Sequence, residues 1–175
     1  IIPPYDHFDI IAGQGTATKE LIEEVGPLDY LLVCVGGGGL LAGSALSAQA
    51  LCPACQVVGV EPAGADDAYR TFREGTIQTC MQPQTIADGA RTPFIGKMNW
   101  EIIRRDVTDI IRVEDDDLLA TMAWIWQRMK VVLEPTGALA ATAISTHQIP
   151  TEGKRVGVIL SGGNADVAGL AAAFG

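Results

Sequence analysis

Three short runs of apolar residues stand out because they lack the polar–apolar alternation of a half-exposed strand. They cover residues 30–35, 56–60 and 155–160, and polar or glycine-rich segments separate them. Continuous apolar runs of this length are typical of strands that are buried on both faces of a sheet. Residues 8–12 and 109–113 have a weaker pattern of the same kind and predict two further strands.

Helical patterns lie between these runs. Apolar side chains recur at helical spacing over residues 16–25, and residues 40–50 are rich in Ala and Leu. Residues 116–130 follow a run of acidic residues and bring apolar positions to one helix face. A last helix is predicted over residues 165–174. Strands alternating with helices predict an α/β fold with a doubly wound, mainly parallel sheet.

Composition narrows the class of protein. The 175 residues are 48% hydrophobic and 19% charged, which excludes a disordered chain, and no linker divides them, so residues 1–175 are expected to form a single domain. The net charge of −9 argues against nucleic-acid binding. No apolar run reaches the roughly 20 residues that span a membrane. Four cysteines are too few for a disulfide scaffold, so we expect a reduced, cytoplasmic protein.

The most informative segment is a glycine run between a predicted buried strand and a predicted helix. It consists of Gly36, Gly37, Gly38 and Gly39, followed by Leu40. Consecutive glycines allow positive φ and expose backbone N–H groups, which bind anions such as phosphate together with the helix N-terminus. A tight strand-to-helix turn needs one or two glycines but not four, so the run favours phosphate binding.

A second glycine turn follows the last predicted strand, where Ser161 is followed by Gly162, Gly163 and Asn164. Ligands of open α/β sheets collect beyond the carboxyl ends of the strands, so both turns could face one ligand. A plain strand-to-helix turn is the structural alternative. The hydroxyl of Ser161 can donate or accept a hydrogen bond, and it therefore suits a neutral ring nitrogen better than a charged one.

The glycine run also fits a different cofactor. Gly37, Gly39 and Ala42 satisfy the dinucleotide-binding fingerprint, and Glu61 follows about twenty residues later, where a ribose-binding acid is expected. This fingerprint is weak when it stands alone. An NAD-type dinucleotide-binding domain therefore stays open as an alternative at this point.

Six segments in a fixed order carry a resemblance to a known family. Together they resemble the fold type II pyridoxal-phosphate enzymes, which include serine racemases, threonine (serine) dehydratases and hydroxyaspartate dehydratases. The resemblance spans nearly the whole chain and outweighs the dinucleotide alternative. The segments are residues 12–16, 35–40, 61–62, 86–89, 134–137 and 160–164.

The resemblance implies a cofactor, an activity and a set of cofactor-binding residues. The cofactor is pyridoxal 5′-phosphate, and the substrate is L-threonine, L-serine or 3-hydroxyaspartate. The expected reaction is racemisation, or elimination to a 2-oxo acid and ammonia, in a homo-oligomer such as a dimer or tetramer. The resemblance implies that the phosphate is held by Gly36, Gly37, Gly38 and Gly39, that Ser161 hydrogen-bonds the pyridine nitrogen, and that Gly89 and Glu134 lie near the ring. The further residues expected to bind the cofactor are Leu40, Gly162 and Asn164.

A metal site is a further expectation. Glu61 and Asp67 lie six positions apart on a predicted loop between strand and helix, a pattern that suits a hard divalent cation. The resemblance implies Mg²⁺, Mn²⁺ or Ca²⁺ between Glu61, the carbonyl of Ala65 and Asp67. The alternative is that Asp66 or Asp67 only caps the following helix.

The catalytic lysine of the family has no counterpart in this sequence. Its chemistry needs a lysine that forms a Schiff base with the cofactor, and the resemblance places that lysine upstream of Ile1. We therefore expect a C-terminal fragment that contains no catalytic residue, lacks the family's small domain and is inactive alone. The alternatives are a stand-alone phosphate-ligand-binding module or half of a split enzyme, whose partner is the missing N-terminal half. The four lysines in other contexts are Lys19, Lys97, Lys130 and Lys154.

Overall fold

A computed structural model describes residues 3–173 of the chain. Among the described helices, none combines the length and apolar character needed to cross a membrane. Short 3₁₀ turns lie at Ala63–Ala65 and Asp88–Ala90. The helices and strands, in chain order, are α1 (Phe8–Val25), β1 (Tyr30–Cys34), α2 (Gly39–Leu51), β2 (Gln56–Pro62), α3 (Asp67–Glu74), α4 (Lys97–Asp106), β3 (Asp109–Val113), α5 (Asp115–Met129), α6 (Pro135–Ser145), β4 (Val156–Val158) and α7 (Val167–Ala173).

The four strands form one parallel sheet in the order β3-β2-β1-β4. Leu32 in β1 lies opposite Val58 in β2 on one side and Val158 in β4 on the other. The strand β1 is therefore central, and its carboxyl end lies between the carboxyl ends of its two neighbours. The predicted α/β fold with a parallel, doubly wound sheet is confirmed.

Helices cover both faces of this sheet, which explains why the strands are apolar at consecutive positions. Leu31 and Val33 of β1 pack into a core with α1, α2 and α4. Leu32 and Cys34 point to the opposite face and pack into a second core with α5 and α6. A strand buried on both faces has no solvent side, so alternation disappears from its sequence.

The strand predicted over residues 8–12 is wrong, because these residues form the first turns of α1. The buried residues of α1 are Ile11, Gly15, Thr18 and Ile22, which are three or four positions apart, as one face of a helix requires. The helix begins after His7, whose Nδ1 accepts a hydrogen bond from the N–H of Asp9 at 3.2 Å. A five-residue apolar run cannot by itself distinguish a buried helix from a strand.

Four further elements differ from the sequence-based prediction. The strand predicted over residues 155–160 is shorter, and β4 is only partly buried. Helices α4 and α6 are not predicted at all. Most of α6 is buried, so its sequence has no polar face and no helical period. The last helix begins at Val167 rather than residue 165, and residue 174 lies outside the described residues.

The crossing of α1 and α2 provides a test of this packing. A Cβ at Gly43 would lie 2.3 Å from the carbonyl oxygen of Ile11 and 2.6 Å from the nitrogen of Gly15. We expect Gly43→Ala to lower the free energy of unfolding by about 1–3 kcal/mol, because the helices must separate. Gly13→Ala in α1 is the control. It meets no atom within 4 Å, and we expect it to raise stability by up to about 1 kcal/mol.

Urea-induced unfolding of the two variants and the wild type measures both effects. A Gly43→Ala variant as stable as the wild type would contradict the close approach of the two helices.

Candidate functional site

A cavity of about 440 Å³ lies where the carboxyl ends of β1 and β4 meet. The structure brings the glycine run and Ser161 of the second turn to this cavity, together with most of the residues expected around a cofactor. The expected residues that line it are Gly36, Gly37, Gly38, Gly39, Leu40, Gly89, Glu134 and Ser161. Residues far apart in the sequence therefore line one cavity.

The glycine run presents unpaired backbone donors to the cavity. Within residues 3–173, no acceptor pairs with the N–H groups of Gly36, Gly37 and Gly38. The helix α2 starts directly after them, and its first backbone hydrogen bond runs from the N–H of Ala42 to the carbonyl of Gly38 at 2.8 Å. Free N–H groups at a helix N-terminus bind anions, and phosphate suits such a site.

Close contacts or backbone conformation favour glycine at three positions of this run. A Cβ at Gly36 would lie 3.1 Å from the carbonyl oxygen of Gly89, and one at Gly37 would lie 2.2 Å from the ring of Tyr5. Gly38 has a φ of 91°, in the left-handed region that favours glycine. Tyr5 and Gly89 thus pack directly against the run, so that only the backbone of the run can contact a ligand.

Ser161 lies at the same edge, beside the end of β1. Its Oγ is 3.2 Å from the Sγ of Cys34. Burial raises the pKa of the Cys34 thiol, so the thiol keeps its proton and can donate to the serine oxygen. That arrangement leaves the O–H of Ser161 available to an acceptor such as a neutral ring nitrogen.

Glu134 is held by the second glycine turn. Its Oε2 accepts a hydrogen bond from the N–H of Asn164 at 3.0 Å, and its own N–H donates to the carbonyl of Gly162 at 3.1 Å. A Cβ at Gly162 would lie 2.7 Å from Oε1 of Glu134. Gly162 and Asn164 hold Glu134 through these contacts and do not line the cavity in the described part of the chain.

Several cavity residues were not identified from the sequence. One of them, Thr136, accepts a hydrogen bond from the N–H of Gly89 at 2.9 Å and so ties two walls together. Gln14 and Thr136 lie in segments that carry the family resemblance, but only the fold brings these residues together around one cavity. These residues include Tyr5, Gln14, Cys34, Arg91, Thr92 and Thr136.

The residues expected to bind a metal lie at the end of β2. Glu61, Ala65 and Asp67 are all fully buried. The carboxylate of Glu61 accepts hydrogen bonds from the N–H groups of Ala68 at 3.0 Å and Tyr69 at 2.8 Å. Glu61 therefore caps α3 from outside the helix. The structure does not favour the alternative in which Asp66 or Asp67 caps this helix. Within the described residues, the Asp66 side chain makes no capping hydrogen bond to a backbone N–H, and the oxygens of Asp67 have no partner.

Asp67 is the unusual member of this group. Both of its carboxylate oxygens are buried and have no hydrogen-bond partner in the described part of the chain. Burial raises the pKa of Asp67 to about 7 and that of Glu61 to about 9. Among the described residues, no three His, Cys, Asp or Glu side chains form a metal-binding group. A cation here would need the backbone carbonyl and water as well.

The surroundings of Glu61 also bear on the dinucleotide alternative. A ribose-binding acid must be accessible at the end of its strand. Glu61 is fully buried, and both of its oxygens already accept backbone N–H groups of α3. The structure therefore does not favour Glu61 as a ribose ligand.

Comparisons with known proteins agree with this geometry. A serine racemase of Schizosaccharomyces pombe is 51% identical over 167 residues, covering 95% of this chain and 52% of the relative. An L-threo-3-hydroxyaspartate ammonia-lyase of Saccharomyces cerevisiae is 52% identical, covering 95% of this chain and 51% of the relative. The crystal structure of a serine racemase from Dictyostelium discoideum superposes with a TM-score of 0.88 at 41% identity, covering 95% of this chain and 54% of that chain. A crystal structure of a threonine deaminase has the same TM-score at 42% identity, covering 93% of this chain and 60% of that chain.

The chain thus spans about half the length of the curated relatives that it matches. The family model described as "Pyridoxal-phosphate dependent enzyme" matches residues 1–162. This match covers the glycine run, Glu134 and Ser161, which are the residues that the fold assembles around one cavity. The chain therefore belongs to the family of pyridoxal-phosphate dependent enzymes.

Proposed function

We propose that these 175 residues are the cofactor-binding part of a pyridoxal-phosphate dependent dehydratase or racemase. The observation that carries the proposal is the cavity itself, where free N–H groups of the glycine run and the hydroxyl of Ser161 face one space. An anion binds at the glycine run, and a neutral ring nitrogen meets Ser161. A phosphorylated pyridine has both groups in one molecule.

Each residue around the cofactor has a separate task. Pyridoxal phosphate, when bound, supplies an electron sink that stabilises negative charge at the α-carbon of an amino acid. The glycine run and Leu40 hold its phosphate. Ser161 donates to the ring nitrogen without protonating it, because a hydroxyl is a much weaker acid than a carboxyl group. Glu134 and Gly89 flank the ring, while Gly162 and Asn164 keep Glu134 in place.

We propose a hydroxy amino acid as the substrate. The relatives are called serine racemase and L-threo-3-hydroxyaspartate ammonia-lyase, and a similar structure is called threonine deaminase. L-Serine, L-threonine and 3-hydroxyaspartate share a hydroxyl on the β-carbon. Loss of the α-proton and departure of this hydroxyl remove one water and leave an enamine. The enamine tautomerises to an imine, and hydrolysis of the imine by water gives a 2-oxo acid and ammonia. Return of the proton to the opposite face gives the other enantiomer.

A second candidate, a phosphate-ligand-binding module or half of a split enzyme, rests on the positions of the lysines. Lys19, Lys97, Lys130 and Lys154 are all described, and none of them lines the cavity. The 175-residue chain would then hold its ligand without a covalent bond. The two candidates share the same cavity and differ only in whether a lysine from outside these residues completes it.

Ligand selectivity of the 175-residue chain tests the proposal. We expect pyridoxine 5′-phosphate to bind about 100-fold more tightly than pyridoxine, because the phosphate adds charge-assisted hydrogen bonds to the free N–H groups. Both probes lack the aldehyde, so they cannot react with surface lysines. Isothermal titration calorimetry measures both dissociation constants. Equal affinities would contradict a phosphate site, and tighter binding of NAD⁺ would favour the dinucleotide alternative.

We also propose that Glu61, the carbonyl of Ala65 and Asp67 bind Mg²⁺, Mn²⁺ or Ca²⁺. Supporting this proposal, both carboxylate oxygens of Asp67 are buried without a partner among the described residues. Such burial is costly for a charged group unless an opposite charge compensates. The oxygens of Glu61 each accept one N–H group and retain a lone pair for a cation. The cation would hold the loop between β2 and α3 beside the cavity edge of the sheet.

Thermal unfolding with and without divalent cations checks this site. Saturating Ca²⁺ or Mg²⁺ is expected to raise Tm in the wild type, since a cation bound only to the folded state at 100 times its Kd adds about 2.7 kcal/mol. Asp67→Asn should abolish the increase. The matched control is Asp66→Asn, which weakens an ion pair with Arg70 but leaves the proposed ligands intact. An unchanged Tm in the wild type, or an increase that survives in Asp67→Asn, would refute the assignment.

A further inference from the structure

The carbonyl group of Gly37, in the middle of the glycine run, is fixed by two donors at the start of α4. It accepts the N–H of Gly96 at 3.0 Å and the side-chain Nδ2 of Asn99 at 2.7 Å. Nδ2 of Asn99 also lies 3.2 Å from the carbonyl oxygen of Tyr5. Both neighbours of this atom can only accept, so the amide nitrogen must point toward them.

This contact determines which way the next peptide N–H points. A trans peptide is planar, and its carbonyl and N–H point in opposite directions. Because the carbonyl of Gly37 points toward α4, the N–H of Gly38 in the same peptide points away from α4. Gly38 lines the cavity, and no residue in the described part of the chain accepts its N–H. The hydrogen bond from Asn99 thus keeps a free donor turned toward the ligand.

Of the two polar atoms of the Asn99 side chain, only the nitrogen makes hydrogen bonds within the described residues. The residue is fully buried, and its Oδ1 has no hydrogen-bond partner among the described residues. An unpaired buried polar atom is unfavourable, and such groups in folded proteins require an explanation. A Cβ at Gly38 would lie 3.1 Å from the Cβ of Asn99, so α4 packs directly against the run.

We propose that Asn99 is a positioning residue for the phosphate site. Its amide fixes the Gly37–Gly38 peptide in the orientation that binds the phosphate, although Asn99 itself is not part of the cavity wall. This role rests on the proposed function, because it requires that the cavity takes a phosphorylated pyridine. This role affects only the binding of the phosphate group, so we expect Asn99 to have no effect on the binding of the pyridine ring.

The test compares two probes in Asn99→Ala and in the wild-type 175-residue chain. Calorimetry with pyridoxine 5′-phosphate should show about tenfold weaker binding to the variant, whereas binding of pyridoxine should stay within about twofold. A merely structural role would lower both affinities by the same factor, since partial unfolding reduces the competent fraction for every ligand. The ratio of the two dissociation constants is therefore the measured quantity.

Two further variants serve as a control and as a replacement for Asn99→Ala. Gln148→Ala is the matched control, because its Nε2 also donates to a backbone carbonyl, that of Arg112 at 3.0 Å, away from the cavity. It should leave the ratio unchanged. If Asn99→Ala does not fold, Asn99→Leu replaces it, since leucine fills nearly the same volume but has no amide to donate to the Gly37 carbonyl.

The outcomes separate this proposal from the proposed function. A wild-type chain that binds neither probe, or both equally, would overturn the phosphate site and the role of Asn99 with it. A wild-type chain that prefers the phosphorylated probe, with the same ratio in the Asn99 variant, would overturn the role of Asn99 alone. A preference for the phosphorylated probe that falls only in the Asn99 variant supports both.

Discussion

The parallel pairing of β1 with a neighbour on each side is the constraint on which the rest of the structure depends. Pairing with β2 and β4 brings three carboxyl ends to one edge of the sheet. The glycine run follows β1, the buried carboxylates lie at and just after the end of β2, and Ser161 follows β4. A sheet with helices on both faces leaves this edge as the place where a ligand can enter. The same strand pairing therefore builds the core and assembles the cavity.

We propose that the cavity attracts an anion through local dipoles rather than through the charge of the whole molecule. The chain carries a net charge of −9, which repels a phosphate at long range. Three free N–H groups and the N-terminus of α2 act at short range, where partial charges on the backbone dominate. This explains why the run consists of glycines and why neighbouring segments must hold its peptides in fixed orientations. A loop that could turn its carbonyls inward would repel the same anion.

The sequence predicted the parts of this arrangement that depend on local patterns. Consecutive apolar residues predicted β1 and β2, and the glycine run and Ser161 were expected at one edge. Residues 8–12 were predicted as a strand because the helical period of α1 appears only when residues up to Ile22 are included. Helix α6 has no polar face, so its sequence shows no repeat of apolar and polar positions at helical spacing. Asn99 contacts Gly37 across 62 positions, and no local pattern reports such a contact.

The central claim is that the glycine run binds the phosphate of a pyridine cofactor through its backbone. Titration of the ¹⁵N-labelled 175-residue chain with pyridoxine 5′-phosphate, followed by amide chemical shifts, tests it most directly. We predict the largest downfield shifts at Gly36, Gly37 and Gly38, since a hydrogen bond to phosphate deshields an amide proton. Shifts concentrated elsewhere on the molecule, or none at saturating ligand, would contradict the account.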